Sequence, residues 1–429
     1  MKRKINAILT TALIAVVLLV TLVSCSPSQA VDFFEYSTNN LGPVGNLVRL
    51  MHRWIGSYGW TVVVFTLFLK IIMLPIDFWQ RFSSRKSTLK MQRIQPILEG
   101  IDKRYGANTQ RANEEKQKLY KKQGYSMLGT CLPMILSMAI FFVMFAGLRN
   151  YSTYSTITTF HLLSNEYYDT LQTEFESMGG DVYATYKAEY DAKYQARIND
   201  ETRVNKTDED ADLYAKINAV KAVNGAYNSA GLTAQETAIK RVQERYLNEK
   251  ESWLWIKNVW QPDTWAPVMP DYDKGSNNFS SIISMENYPD DDKGRTVYNT
   301  IRNAILEVDG YGNNGSWNGL MILPILSVAL SFLSMWISQR IEKRNRKGEQ
   351  QPLNQQQQMT NRMMMIMMPA MMAVFGFMYT GAFAIYMVFN YTLSIISTIA
   401  LRLPVEKIVE KSIAKKDEKE NKSKASYMR

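Results

Sequence analysis

The sequence predicts an all-α polytopic membrane protein, and three observations carry that prediction. Apolar runs recur along the 429 residues, several of them near the roughly twenty residues that span a bilayer core at 1.5 Å rise per residue. The polar segments between them differ in sign: residues 80–125 hold 12 Lys/Arg against 4 Asp/Glu, and residues 149–317 hold 17 against 26. Basic segments mark the cytoplasmic side, so the first belongs inside and the second outside. Apolar residues within the polar segments keep helical spacing, as at Leu89, Ile94, Ile97, Leu98 and Ile101, which favours helix over strand.

The N-terminus, MKRKINAILTTALIAVVLLVTLVSC, joins a basic n-region to an apolar h-region, the pattern of a secretory signal over residues 1–24. Leu22-Val23-Ser24-Cys25 resembles the bacterial lipobox. That resemblance implies cleavage before Cys25 and acylation of its sulfur by lipid chains, palmitate among them, holding the mature N-terminus at the outer face of a plasma membrane. An uncleaved signal anchor is the alternative. Residues 25–57 then form a polar linker and a short interfacial helix, with Leu47, Leu50, Met51, Trp54 and Ile55 on one stripe and Arg49 and Arg53 off it.

The first expected span, 58–78, reads YGWTVVVFTLFLKIIMLPIDF and contains one cation, Lys70. Thr66, one turn earlier, and Asp77, two turns later, share its face, while Val62, Phe65, Leu69 and Ile72 are apolar. A charge at membrane depth is costly and by default functional. Lys70 reads either as a snorkelling anchor or as a cation lining a wet cavity inside a helix bundle. After it, residues 80–125 read as a cytoplasmic helical hairpin broken at Gly106-Ala107-Asn108. A second span is expected at 126–148, completing a unit over 58–148. The acidic stretch 149–317 is a large extracytoplasmic insertion with helical charge spacing, for example over 234–249.

The last unit, 318–402, holds three expected spans at 320–337, 363–379 and 382–401. A basic, Gln-rich cytoplasmic loop joins the first two, and Thr380-Gly381 alone joins the last pair, which makes them antiparallel neighbours. The basic tail, 403–429, is poor in apolar residues and is expected to be disordered in the cytosol. Five spans with the N-terminus outside put every Lys/Arg-rich segment on one side.

Four stretches resemble the YidC insertases, relatives of the mitochondrial Oxa proteins. YGWTVVVFTLFLKIIMLP is similar to that family's first core span, where Arg is usual in place of Lys70. KMQRIQPILEGIDKRYG with LYKKQGYSMLGTCLPMILSMAIF resembles its hairpin and second span. SWLWIKNVWQPD and LPILSVALSF resemble the segment leading into its third span and that span itself. MMPAMMAVFGFMYTGAFAIYMVFN resembles its last two, with Gly381, Tyr386 and Asn390 in register. The resemblance implies a five-transmembrane-helix core that inserts and chaperones membrane proteins through a cytosol-open hydrophilic groove. It places Lys70, Thr66, Tyr386 and Asn390 in that groove. Lys70 keeps the charge of the usual Arg but loses its planar fork, and Met387 stands where an aromatic is common. The insertions 151–251 and 269–317 fall outside the resemblance.

Catalysis is not expected. Only His52 and His161 are present, Glu114-Glu115 lies on a charged helix, and no phosphate loop, metal spacing or cofactor motif occurs. The implied partners are membrane-protein clients and the lipid bilayer, not DNA. The basic hairpin and tail suit ribosomal RNA phosphates or anionic lipid heads, and a ribosome and a Sec translocon stay open as partners. The Met run at 363–372 suits a promiscuous apolar surface or plain packing. A transporter or channel using Lys70 as an anion site, and a surface interaction lipoprotein working through 151–317, are the competing readings.

Overall fold

The computed structural model describes residues 31–34, 36, 38–105, 109–122, 127–202, 207–223, 230–274, 278–290, 292–311, 317–345, 369–370, 373–374 and 376–427. Cys25, the break at 106–108, the Gln-rich loop and most of the Met run lie outside the described residues.

Helix α1, Gly42–Ile55, starts with a proline in its first turn and ends at Gly56. Gly56 takes φ 77°, which glycine adopts without strain, and its N–H closes the helix on His52 O at 2.8 Å. α2, Tyr58–Tyr105, is one helix of 48 residues that continues through Pro75 and Pro96. α3, Thr109–Lys122, folds back against its far end. Ile94, Leu98 and Ala112 are buried, and Lys116 Nζ pairs with Asp102 Oδ1 at 2.5 Å, so the hairpin has an apolar seam.

α4, Met127–Met178, is 52 residues long. The backbone therefore does not break at the expected boundary of 148. Beyond it Thr156, Thr158, Thr170 and Thr173 each bond the carbonyl four residues back, and no Gly or Pro interrupts the helix until Gly179-Gly180, both at positive φ. The helices that follow, α5 (Gly180–Ile198), α6 (Asp208–Val223), α7 (Ala230–Glu249), the single turn α8 (Phe279–Ile282) and α9 (Arg295–Val308), pack with the far half of α4. Together they make an aromatic domain. Phe33, Phe34, Phe160, Phe175, Tyr186, Phe279 and Tyr298 fill its core. A short parallel pair, β1 (Val31–Asp32) with β2 (Ile283–Ser284), brings Phe33 and Phe34 into that core. The supposedly polar linker thus supplies two core residues.

α10, Ile322–Asn345, and α11, Gly381–Tyr427, complete the fold. The tail is not disordered over its described length: α11 runs on through Pro404 to Tyr427. Val405 and Val409 are buried, and the Lys, Glu and Ala that follow in the sequence are good helix formers.

Three described helices are long and apolar enough to cross a membrane: Tyr58–Ser87, Ile322–Ile341 and Gly381–Ser412. Their apolar side chains point outward, Trp60, Phe68, Ile71, Ile72, Ile325 and Phe332 all being exposed. The protein is therefore a mostly helical membrane protein. Of the expected span 126–148, residues 127–148 open α4. Of 363–379, residues 369–370, 373–374 and 376–378 are helical and the others lie outside the described residues, except Tyr379 in the turn before α11.

The segment 251–263 ties the starts of these helices together. Asn318 donates to Asn258 O, Gln261 O and Pro262 O at 2.9–3.1 Å. The Asp263 carboxylate, fully buried, accepts from Leu320 N, Leu323 N and Trp255 Nε1, capping α10. Gly381 N and Ala382 N donate to Gln261 O and Val259 O, seating α11 on the same segment. Gly59 lets α2 approach it, since a Cβ there would fall 2.2 Å from the Trp253 ring.

Candidate functional site

α2 presents two faces. Leu67, Phe68, Ile71 and Leu74 are exposed, whereas Thr66 is buried and Lys70 and Asp77 are largely covered. The polar face turns toward α4 and α11, where residues from the three helices enclose a cavity of about 200 Å³. Thr66, Lys70 and Asp77 line it from α2, Ile140, Phe141 and Met144 from α4, and Tyr386, Asn390 and Ser394 from α11. All four groove residues expected from the sequence, Lys70, Thr66, Tyr386 and Asn390, therefore meet at one cavity.

Their roles differ once geometry is added. Thr66 Oγ1 donates to Val62 O at 2.6 Å, so its hydroxyl is tied to its own helix. Lys70 Nζ lies 2.7 Å from Asp77 Oδ2 and donates to Ser394 Oγ at 3.1 Å. The cation is thus paired within the chain. Such a pair is costly to desolvate, and removing one member leaves the other buried and uncompensated. The spacing of seven puts Asp77 two turns from Lys70 on one face, a signal readable in sequence. Ser394 is the residue that sequence reading passed over, although it lies one turn from Asn390 and two from Tyr386.

Toward the start of α2 the cavity is closed by packing. Tyr58, Val62 and Phe65, Leu148 of α4, Trp260, and Phe383 and Ile385 of α11 are all buried in one cluster. Tyr58 packs on Trp260 with the rings tilted by 38° and 4.1 Å between centroids. Met387, in place of the expected aromatic, is buried in the same cluster. Toward the other end the lining turns polar. Arg81 donates to Thr398 Oγ1 at 2.7 Å beside a second cavity of about 370 Å³ between α2, α10 and α11.

The remaining candidates have structural partners. His52 lies between Tyr151 Oη, 2.7 Å away, and Glu251 Oε1, 2.8 Å away. His161 stacks on Phe33 at 3.8 Å and donates to Phe33 O; burial lowers its pKa to about 4. Glu115 pairs with Lys118 on an exposed helix face. No cluster of His, Cys, Asp or Glu suited to a metal occurs among the described residues.

The chain matches the model of the family described as "60Kd inner membrane protein" over residues 50–179 and 237–407. The unmatched interior, 180–236, holds α5 and α6; the stretches 151–179, 237–251 and 269–317, expected to fall outside the family resemblance, lie inside the match. Similar curated proteins are named "Membrane protein insertase YidC". That of Caldanaerobacter subterraneus subsp. tengcongensis is 38% identical over 113 residues, 26% of this chain and 53% of that protein. That of Campylobacter jejuni is 33% identical over 122 residues, 28% of this chain and 22% of that protein. That of Endomicrobium trichonymphae is 37% identical over 123 residues, again 28% and 22%. The chain spans about half the length of the first of these relatives and about a fifth of the other two. With α2, α4, α10 and most of α11 all inside the family match, the chain belongs to the 60Kd inner membrane protein family.

Proposed function

We propose that this chain is a membrane protein insertase that receives acidic or polar client segments in the groove around Lys70. The observation that carries the reading is the inside-out face of α2: a cation, a carboxylate and hydroxyls turned into a cavity, with apolar side chains turned out. Family membership and the names of the relatives support the same reading. In this scheme the core has five spans, completed by 126–148 and 363–379. The aromatic domain stands outside, and the hairpin, the Gln-rich loop and the far end of α11 stand in the cytosol. Cys25 carries the lipid anchor.

The Lys70–Asp77 pair gives the mechanism its physical form. A client carboxylate entering the groove competes with Asp77 for Lys70, so the cation stays paired in both states while the displaced Asp77 carboxylate turns to water in the groove. Ser394 holds Nζ between the two partners. The packed cluster from Tyr58 to Trp260 blocks passage to the far side, and the apolar client segment leaves sideways into lipid, where its burial drives the step. A through-going channel would need that cluster open.

The test is insertion of one single-span client, with an acidic and with a neutralised N-terminal tail, at equal levels of each variant. Lys70→Arg should keep most activity. Lys70→Ala should lower acidic-tail insertion about tenfold, about 1.4 kcal/mol, and Lys70→Glu should lower it further. The double change Lys70→Ala with Asp77→Ala relieves the stranded carboxylate, so it should restore protein level without restoring acidic-tail insertion. Acidic-tail insertion by Lys70→Ala at the parental rate overturns the charged-groove mechanism.

A further inference from the structure

The second cavity, between α2, α10 and α11, shares Asp77 alone with the lining of the groove. Its walls include Arg81, Arg85, Ser338, Thr398 and Arg402, with Asp77 and Glu406 as the two acids. Asp77 is already engaged by Lys70 at 2.7 Å, and Glu406 Oε1 forms an ion pair with Arg402 Nε at 3.5 Å, without a hydrogen bond. Arg81 uses one Nη on Thr398. Its Nε and the Nη1 of Arg85 are buried with no hydrogen-bond acceptor. Buried guanidinium donors without acceptors are expensive, and two of them on one cavity of about 370 Å³ describe a seat for an oxyanion.

Depth identifies the class of anion. Arg81 follows Trp60 by 21 residues, about 31 Å of helix, against a hydrocarbon core about 30 Å thick. With Trp60 at one interface, Arg81 and Arg85 stand at the level of the opposite lipid phosphates. The neighbouring helices mark the same level. Trp79 on α2 and Trp336 on α10 are exposed, Arg340 stacks over Trp336 at 4.8 Å, and Leu403 beside the cavity on α11 is exposed to lipid. An apolar rim around cationic donors fits a ligand with acyl chains better than a water-borne acid.

We propose that this cavity binds the phosphate of an anionic phospholipid of the cytoplasmic leaflet, with Arg81 and Arg85 as its donors. The assignment rests on the membrane placement given under Proposed function but not on client insertion, so it can fail while the groove mechanism stands. The full chain is purified in detergent, and retained phosphatidylglycerol is counted by native mass spectrometry against equal phosphatidylcholine. The parent should prefer phosphatidylglycerol. The double change Arg81→Gln, Arg85→Gln should weaken that preference about thirtyfold, each interfacial cation being worth about fivefold.

A protection assay keeps the parental arginines, so it stays informative if the double variant misfolds. Ser338→Cys, with Cys131→Ser, is labelled by a water-soluble maleimide, and labelling of Cys25 is read from the same chain with Ser338 intact. Phosphatidylglycerol should protect the new cysteine, and phosphatidylcholine should not. Equal protection by inorganic phosphate alone would assign the seat to free anions. Protection by a soluble acidic peptide but not by phosphatidylglycerol would assign it to protein ligands. Either result, or unchanged lipid preference in the folded double variant, overturns the proposal.

Discussion

Phe160 and Phe68 sit on long helices of one chain and face opposite ways. Phe160, on the far half of α4, is buried against Phe33, Phe279 and Tyr298. Phe68, on α2, is exposed, while Lys70 two residues later is largely covered. The aromatic domain hides its rings because water surrounds it. The bundle shows its rings and hides its hydroxyls and charges because lipid is as apolar as they are. One sequence thus obeys two solvents, and α2, whose apolar stretch Tyr58–Ser87 is part of a helix running on to Tyr105, passes between them without a break.

Three predictions strain that contrast, from the largest effect down. Phe279→Ala deletes a fully buried ring that touches Phe160, Tyr272 and Tyr298, and should destabilise the aromatic domain by about 3–5 kcal/mol. Limited proteolysis should then cut α5 and α6 while Tyr58–Ser87 stays protected in detergent. Simultaneous loss of both regions would mean that they do not pack independently.

Acidification should separate them next. The His161 pKa is lowered by burial to about 4, below its ordinary value of about 6.5. Its contribution is therefore fully present above about pH 6.5 and is lost as pH falls toward 4, because the unfolded chain takes the proton first. The loss is up to about 3 kcal/mol. Asp290 acts in the opposite direction, since burial, and then Asp292, raise its carboxyl to about 6. The quantity to measure is thus the difference between the parent and His161→Gln in urea unfolding from pH 7 to pH 4. A pH slope unchanged by that substitution would remove His161 from the account.

The smallest effect lies at the seam. Gly59→Ala puts a methyl into the Trp253 ring and should cost about 1–3 kcal/mol in thermal unfolding. Trp253→Leu in the same chain should recover part of that loss. A loss seen with Trp253→Leu already present and undiminished would place the strain elsewhere.

Much of the bundle was legible because a bilayer crossing needs one long signal. The run from Tyr58 and the seven-residue spacing of Lys70 and Asp77 carry through to the structure, and the short turn before α11 does so one residue early, at Tyr379-Thr380 instead of Thr380-Gly381. What sequence reading lost has physical causes. Polarity changes at residue 148, but helix dihedrals ignore polarity when no Gly or Pro intervenes, so α4 outran its expected end. Phe33 and Phe34 join a core through a two-residue strand, too short to have a period. Ser394 carries no charge to draw attention, and only its distance to Lys70 gives it a role. The far end of α11 is helical because its residues favour helix locally, which a test of apolar content does not register.

The pairing of Lys70 with Asp77 has one more consequence, for a membrane that holds a voltage. A lone cation carried across the full field is worth about 2.3 kcal/mol per 100 mV, and α2 would be tugged whenever the cell's polarisation changed. A cation 2.7 Å from a carboxylate presents almost no net charge to that field. At this pair, then, the resting bundle gives the membrane voltage little to act on.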